Sequence, residues 1–203
     1  TIEKIQERLN KIDELLIISI DDHVGVDDEN NIIIEYDKIN NHLLHSLDLN
    51  GFCNLTDITP LSGLTYLTDL DLRFCDKLTD ITQLSGLTYL TKLNLSNCYM
   101  LKNIKPLTKL THLTNIILSS CYGLTDITPL SSLTNLIELD LSYCFKLADI
   151  TPLSSLTELT IIKLNACYLL TDITPLSGLT NLTSLYLNCY QELTGIAHLS
   201  GLT

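Results

Sequence analysis

Cysteine offers this 203-residue chain its widest choice of chemistry, and the spacing of the seven thiols narrows that choice. Cys75, Cys98, Cys121, Cys144 and Cys167 stand 23 residues apart. Cys53 and Cys189 lie one residue off that register, where Phe52 and Tyr190 hold the column position. A zinc site needs four ligands converging on a tetrahedron, whereas a column presents parallel side chains in a line. Parallel Cβ vectors also oppose a disulfide between neighbours. The spacing therefore predicts no metal site, and a ladder of buried, reduced thiols beneath a loop backbone. An odd number of regularly placed thiols suits a reducing compartment, so cytoplasmic residence is expected. The histidines at 23, 42, 45, 112 and 198 share no column with a Cys or Ser. Asp57, Asp80, Asp126, Asp149 and Asp172 recur at one offset, which points to a repeated capping or solvent-facing role. The acidic run Asp27-Asp28-Glu29 lacks the alternation of a calcium loop. Neither a Gly-rich phosphate loop nor a nucleophile elbow is visible. No catalytic residue and no cofactor are expected.

Those columns exist because the chain repeats. It holds 45 Leu and 24 Thr, no Trp and one Met, a bias that signals internal repetition. A 23-residue unit, L-T-D-I-T-P-L-S-G-L-T-x-L-T-x-L-x-L-x-x-C-x-x, begins at Leu55, Leu78, Leu101, Leu124, Leu147, Leu170 and Leu193. Six copies are complete, a seventh is cut short, and nothing interrupts the frame. Seven apolar positions per unit, such as Leu78, Ile81, Leu84, Leu87, Leu90, Leu93 and Leu95, cannot be buried within one unit. Stacked coils can bury them, which is the logic of a solenoid. Leu93-Asn94-Leu95 alternates apolar and polar, predicting a short strand in a parallel sheet. Thr59-Pro60 and its copies open the opposite side of the coil. Thr is expected to cap the turn and Pro to begin it, and the segment is short enough for only 3₁₀ or α turns.

The stretch L-T-Y-L-T-K-L-N-L-S-N-C, residues 87 to 98, resembles the core of a leucine-rich repeat (LRR). L-T-D-I-T-P-L-S-G-L-T-N-L is similar to the short repeats of bacterial internalin-like proteins. The Cys followed by two residues and then L-T-D resembles the cysteine-containing repeats of ubiquitin-ligase substrate receptors. The resemblance implies an α/β fold: a right-handed LRR solenoid with a concave parallel β-sheet and short convex turns. It also implies protein recognition, either by a bacterial protein acting in a cytosol, conceivably a host's, or by the recognition arm of a ubiquitin-ligase-type assembly. An extracellular adhesin is a third reading, which the seven thiols disfavour.

Residues 1–44 carry a different pattern. Ile2, Ile5, Leu9, Ile12, Leu15 and Leu16 recur at helical spacing among charged residues, predicting an N-terminal helical cap followed by acidic turns. Residues 45–54 read as a degenerate first strand, and 55–203 as the repeats. Nothing covers the last coil, so the chain reads as a fragment with a C-terminal edge available for self-association. The net charge of −12 disfavours nucleic acid. No apolar run approaches the roughly 18 residues of a membrane span.

Against the constant framework, the strand positions facing away from the core vary. They include Asp69, Asp71 and Arg73; Lys92 and Asn94; Asn115 and Ile117; Glu138 and Asp140; Lys163; and Tyr186. Ser96 and Ser142 fall in the same outward set. A changing face on a fixed scaffold is the pattern of a partner-binding surface. At its rim, Phe74 and Tyr143 precede the column Cys, while Tyr99, Tyr122, Phe145 and Tyr168 follow it. These aromatics have two readings, as binding anchors or as a packing ladder over the thiols. Lys102, Lys105 and Lys109, with His112, form a basic stripe in a repeat that has no acid.

Overall fold

The computed structural model describes residues 24–26, 32–34, 44–188 and 193–201. The helix expected at the N-terminus and the off-column Cys189 lie outside the described residues. Within the first segment, β1 (Val24–Val26) and β2 (Ile32–Ile34) pair antiparallel, an element the sequence reading did not anticipate.

Seven three-residue strands follow, one per coil: β3 (Ser46–Asp48), β4 (Asp69–Asp71), β5 (Lys92–Asn94), β6 (Asn115–Ile117), β7 (Glu138–Asp140), β8 (Ile161–Lys163) and β9 (Ser184–Tyr186). They form one parallel sheet in sequence order, and each residue pairs with its counterpart 23 positions on, Asp69 with Lys92 and Leu70 with Leu93. The strands are short because only the central residue is core. Leu70, Leu93, Ile116, Leu139 and Ile162 point inward while their neighbours face out. Leu185, in the last strand, packs only partly against the core.

Opposite the sheet, each coil makes a 3₁₀ turn, as in Thr59–Gly63 and Lys105–Lys109. The cap expected of Thr is absent, and the Asp column takes the capping role, one of the two expected for it. The N-cap residues are Ile58, Ile81, Ile104, Ile127, Ile150 and Ile173, none with a capping side chain. The first turn is held instead by the preceding Asp or Asn. Asp57, Asp80, Asn103, Asp126, Asp149 and Asp172 each accept through Oδ1 the N–H two residues on, at 2.8–2.9 Å. A carboxylate two residues upstream reaches this donor more directly than the Thr side chain can, because Thr lies inside the turn. The Thr hydroxyl strengthens the arrangement, as when Thr82 donates to Asp80 at 2.6 Å.

Between sheet and turns lies one continuous core. Leu55, Ile58, Leu61, Leu64 and Leu67 are buried, and so are their equivalents in the next four coils. Each buried aliphatic contributes roughly 1.5–3 kcal/mol, so stacking rather than helix or strand propensity holds the coils together. A hydroxyl ladder adds to this: Thr68, Thr91 and Thr114 donate to the carbonyl 23 residues earlier at 3.0–3.1 Å. Ile137 interrupts that ladder and stands exposed.

Candidate functional site

The outward residues of β3 to β7 line a shallow groove of about 370 Å³ on the sheet face. Asp69, Asp71, Lys92, Asn94, Asn115, Ile117 and Glu138 meet there, joined by Ser46 and Asp48 from the first strand. Asp140, Arg73 and Lys163 join them through ion pairs. Arg73 binds Asp71 at 2.8 Å, Lys92 reaches Asp69 at 3.2 Å, and Lys163 sits 2.9 Å from Glu138 and 4.0 Å from Asp140. The hydrogen bond to Glu138, more than the nearby carboxylate charges, raises the Lys163 ammonium above its ordinary range. Asn115 donates to the other Glu138 oxygen at 3.1 Å. Tyr186 stands apart on β9, exposed near the end of the sheet.

Some of this polarity also serves the backbone. Asp48, Asp71, Asn94 and Asp140 each accept the N–H two residues on, at 2.8–3.0 Å, which turns the chain out of its strand. That bend corrects one reading: Ser96 and Ser142, expected to face outward, are buried, because the strand has ended before them.

The rim aromatics divide into two groups. Tyr99, Tyr122, Phe145 and Tyr168 stack in one row, with centroids 5.0, 4.9 and 5.4 Å apart. Face-to-face stacking leaves their edges to solvent, so this row has the geometry of a packing ladder. Phe74 and Tyr143 stand outside that row, although Tyr143 meets Phe145 edge-on with centroids 6.3 Å apart. Both are exposed, and both hold a left-handed backbone, with φ of 59° and 62°. Every described strand exit holds this conformation; Gly51, Asn97, Ser120 and Ala166 occupy the same place. Gly and Asn suit it, whereas a bulky L-residue there costs roughly 1–2 kcal/mol.

Beneath the rim, the column thiols donate to carbonyls one coil back. Cys75, Cys98, Cys121, Cys144 and Cys167 reach the carbonyls of Leu49, Leu72, Leu95, Leu118 and Leu141 at 3.1–3.5 Å. All five are buried, while Cys53 is free and exposed. Burial pushes the thiols of Cys75 and Cys98 up to about 12, and those of Cys121 and Cys144 upward as well. They are poor nucleophiles and serve as inter-coil donors.

Sequence reasoning missed a second ring stack. Tyr66, Tyr89 and His112 lie in register with centroids 5.9 and 6.2 Å apart, at the entry to the strands. Their 23-residue spacing was the available signal, obscured because Asn135, Glu158 and Asn181 continue the column. The basic stripe lies elsewhere: Lys105 and Lys109 bound an exposed 3₁₀ turn on the opposite side of the coil.

Comparison with known proteins accords with this architecture. A profile for the BspA type leucine rich repeat region matches residues 49–171 in six copies. Among solved structures, internalin C2 from Listeria monocytogenes is 26% identical, with a TM-score of 0.66 over 85% of this chain and 83% of that one. An internalin, inlF, from the same organism is 24% identical, with a TM-score of 0.43 over 85% of this chain and 68% of that one. Among the curated proteins none matches. No helix among the described residues is long and apolar enough to cross a membrane.

Proposed function

The chain belongs to the family of BspA type leucine rich repeat regions, and from that premise we propose a non-enzymatic module that binds a partner protein through its sheet face. One observation carries the proposal. Seven strands in unbroken register present residues that change from coil to coil, over a core whose residues do not. A prebuilt surface loses little entropy on binding, so a modest set of contacts suffices for affinity. The groove residues, with Phe74 and Tyr143 at the lip, form the contact set. The likeness to internalin C2 supports a bacterial origin, and the free thiols of Cys75, Cys98, Cys121 and Cys144 support residence in a reducing cytosol, the bacterium's own or a host's. A second reading, the recognition arm of a ubiquitin-ligase-type assembly, has the cysteine ladder in its favour and requires an adaptor or catalytic segment elsewhere in the protein.

The test compares two double variants for binding of a captured partner. Asp71→Asn with Asp140→Asn removes two sheet-face charges and keeps the strand-exit turns, as Asn94 shows an amide can. Lys102→Glu with Lys105→Glu changes the turn side. The first pair is expected to slow association and flatten its salt dependence, and the second to leave both unchanged. The opposite pattern would place binding on the turn side.

A further inference from the structure

We propose that the sheet face carries two equivalent half-sites, three coils apart, which together grip an extended basic segment of a partner protein with Lys or Arg at two positions four residues apart. This rests on the reading of the sheet face as the binding face and goes further in naming what occupies it.

The half-sites are visible as a doubled motif. Asp69-Leu70-Asp71-Leu72-Arg73-Phe74-Cys75 and Glu138-Leu139-Asp140-Leu141-Ser142-Tyr143-Cys144 share an acid-x-acid-x-x-aromatic pattern. The intervening coils replace it with Lys92, Asn94 and Asn97, then Asn115, Ile117 and Ser120. Each copy sets two carboxylates on the floor and an exposed ring at the strand exit. Each ring is held in the backbone conformation that Gly51 supplies elsewhere at no steric cost. The charge balance is alike at both. Around β4, Asp48, Asp69 and Asp71 face Arg73 and Lys92, an excess of one negative charge. Around β7, Glu138 and Asp140 share Lys163, again an excess of one. Between them, Asn94, Asn115 and Ile117 carry no charge. Carboxylates below and a ring edge or face above suit a Lys or Arg head group.

The separation selects the conformation of the ligand. Strands β4 and β7 are three sheet spacings apart, about 14 Å at roughly 4.8 Å each. An extended chain rises about 3.4 Å per residue, so residues i and i+4 span the same distance and point to the same side. A helix rises about 1.5 Å per residue and would need nine residues, which puts the second cation on its far side. In the extended case, residue i+2 points to the same face midway, between β5 and β6 and beside Ile117. The fitted segment is therefore cation-x-apolar-x-cation, lying across the strands.

The test uses the full chain and fluorescein-labelled Gly/Ser peptides carrying Lys-Ser-Leu-Ser-Lys, read by fluorescence anisotropy at low salt. Companion peptides place the lysines two, three or six residues apart, and one carries a single Lys. The four-residue spacing is expected to bind at least about tenfold tighter than the others, since joining two sites raises the effective concentration at the second. Asp71→Asn or Asp140→Asn alone should erase the preference. Phe74→Gly and Tyr143→Gly, which relieve the backbone and so retain folding, should each weaken the matched peptide about two- to fivefold. Binding that ignores spacing but falls with Asp71→Asn refutes the paired half-sites and leaves the binding face standing. No binding at millimolar peptide, or a spacing preference blind to all four variants, overturns the proposal.

Discussion

Raising the pH should unfold this protein through its cysteine ladder, and the size of the effect follows from the burial of the thiols. Cys75, Cys98, Cys121 and Cys144 all have pKa values raised above the ordinary 9.0, because ionisation would place a thiolate in the core. An acid group raised in the folded state stabilises the fold fully below its unfolded pKa. That contribution is lost as pH climbs toward the folded value, here between about pH 9 and about 12. At pH 10 each unfolded thiol gains about 1.4 kcal/mol by releasing its proton, so four cost the native state about 6 kcal/mol. That is comparable with the whole stability of an ordinary domain, about 5–15 kcal/mol. The assay is urea unfolding followed by circular dichroism from pH 7 to 10.5, with reductant present. Wild type should lose stability with a slope approaching 5 kcal/mol per pH unit above pH 10. A Cys98→Ala, Cys121→Ala, Cys144→Ala triple variant begins less stable and should show about a quarter of that slope. Equal slopes in the two proteins would mean that the thiols ionise as easily folded as unfolded, and the buried ladder would be refuted.

Four further outcomes are expected. In native buffer a maleimide should label Cys53 rapidly and leave the five column thiols unmodified, read by mass spectrometry. Asp126→Ala should lower stability by about 1 kcal/mol through loss of its turn cap, while Asp126→Asn stays near wild type, as Asn103 implies. The carboxyls of Asp57, Asp80, Asp126 and Asp149 are lowered by the hydroxyl and N–H of the following Thr. They add stability above the ordinary carboxylate range and lose it as pH falls through their lowered values; being exposed, they should steepen acid unfolding slightly, and Asn at all four should flatten it. Ser120→Gly should raise stability by about 0.5–1 kcal/mol, seen as a higher melting temperature, because it frees a left-handed residue from its Cβ.

What could be read from the sequence follows the length of the physical constraint behind each feature. The leucine columns were legible because burial acts on every coil alike, so seven positions repeat without a break. The thiol ladder was legible for the same reason, and the structure places it under the loops as expected. The Asp column was legible as a capping or solvent-facing column, but Thr-Pro satisfies the usual rule for a helix start and so draws a cap to Thr as well. The 3₁₀ turn starts one residue earlier than that rule assumes, at the Thr itself, and the Asp two residues before it does the capping. Ser96 and Ser142 were read as outward because two-residue alternation was continued past a strand only three residues long. The ion pairs were half legible: Asp69 and Lys92 share a column, but Lys163 reaches diagonally to Glu138, a contact that column reading does not show.

Among the described residues, the five non-glycine positions with positive φ show where the scaffold and its surface part company. Gly51 serves the strand exit without steric cost, and Asn97 nearly so. If stability alone governed this column, the remaining coils would carry Gly or Asn as well. Phe74 and Tyr143 instead put the bulkiest side chains of the column on its least tolerant backbone and leave them about half exposed, so the core recovers little from them. Burial accounts for neither ring, although Tyr143 also meets Phe145 edge-on with centroids 6.3 Å apart. Their cost is borne by the stacked core, which is large enough to absorb a few kcal/mol. What they add is outward contact area beside paired carboxylates, in two of the coils and nowhere between. The ring, and not the backbone that the other described strand exits share, therefore distinguishes these coils: Phe74 and Tyr143 place large, half-exposed aromatic surface on a costly conformation beside paired carboxylates, where a contact from outside would use it.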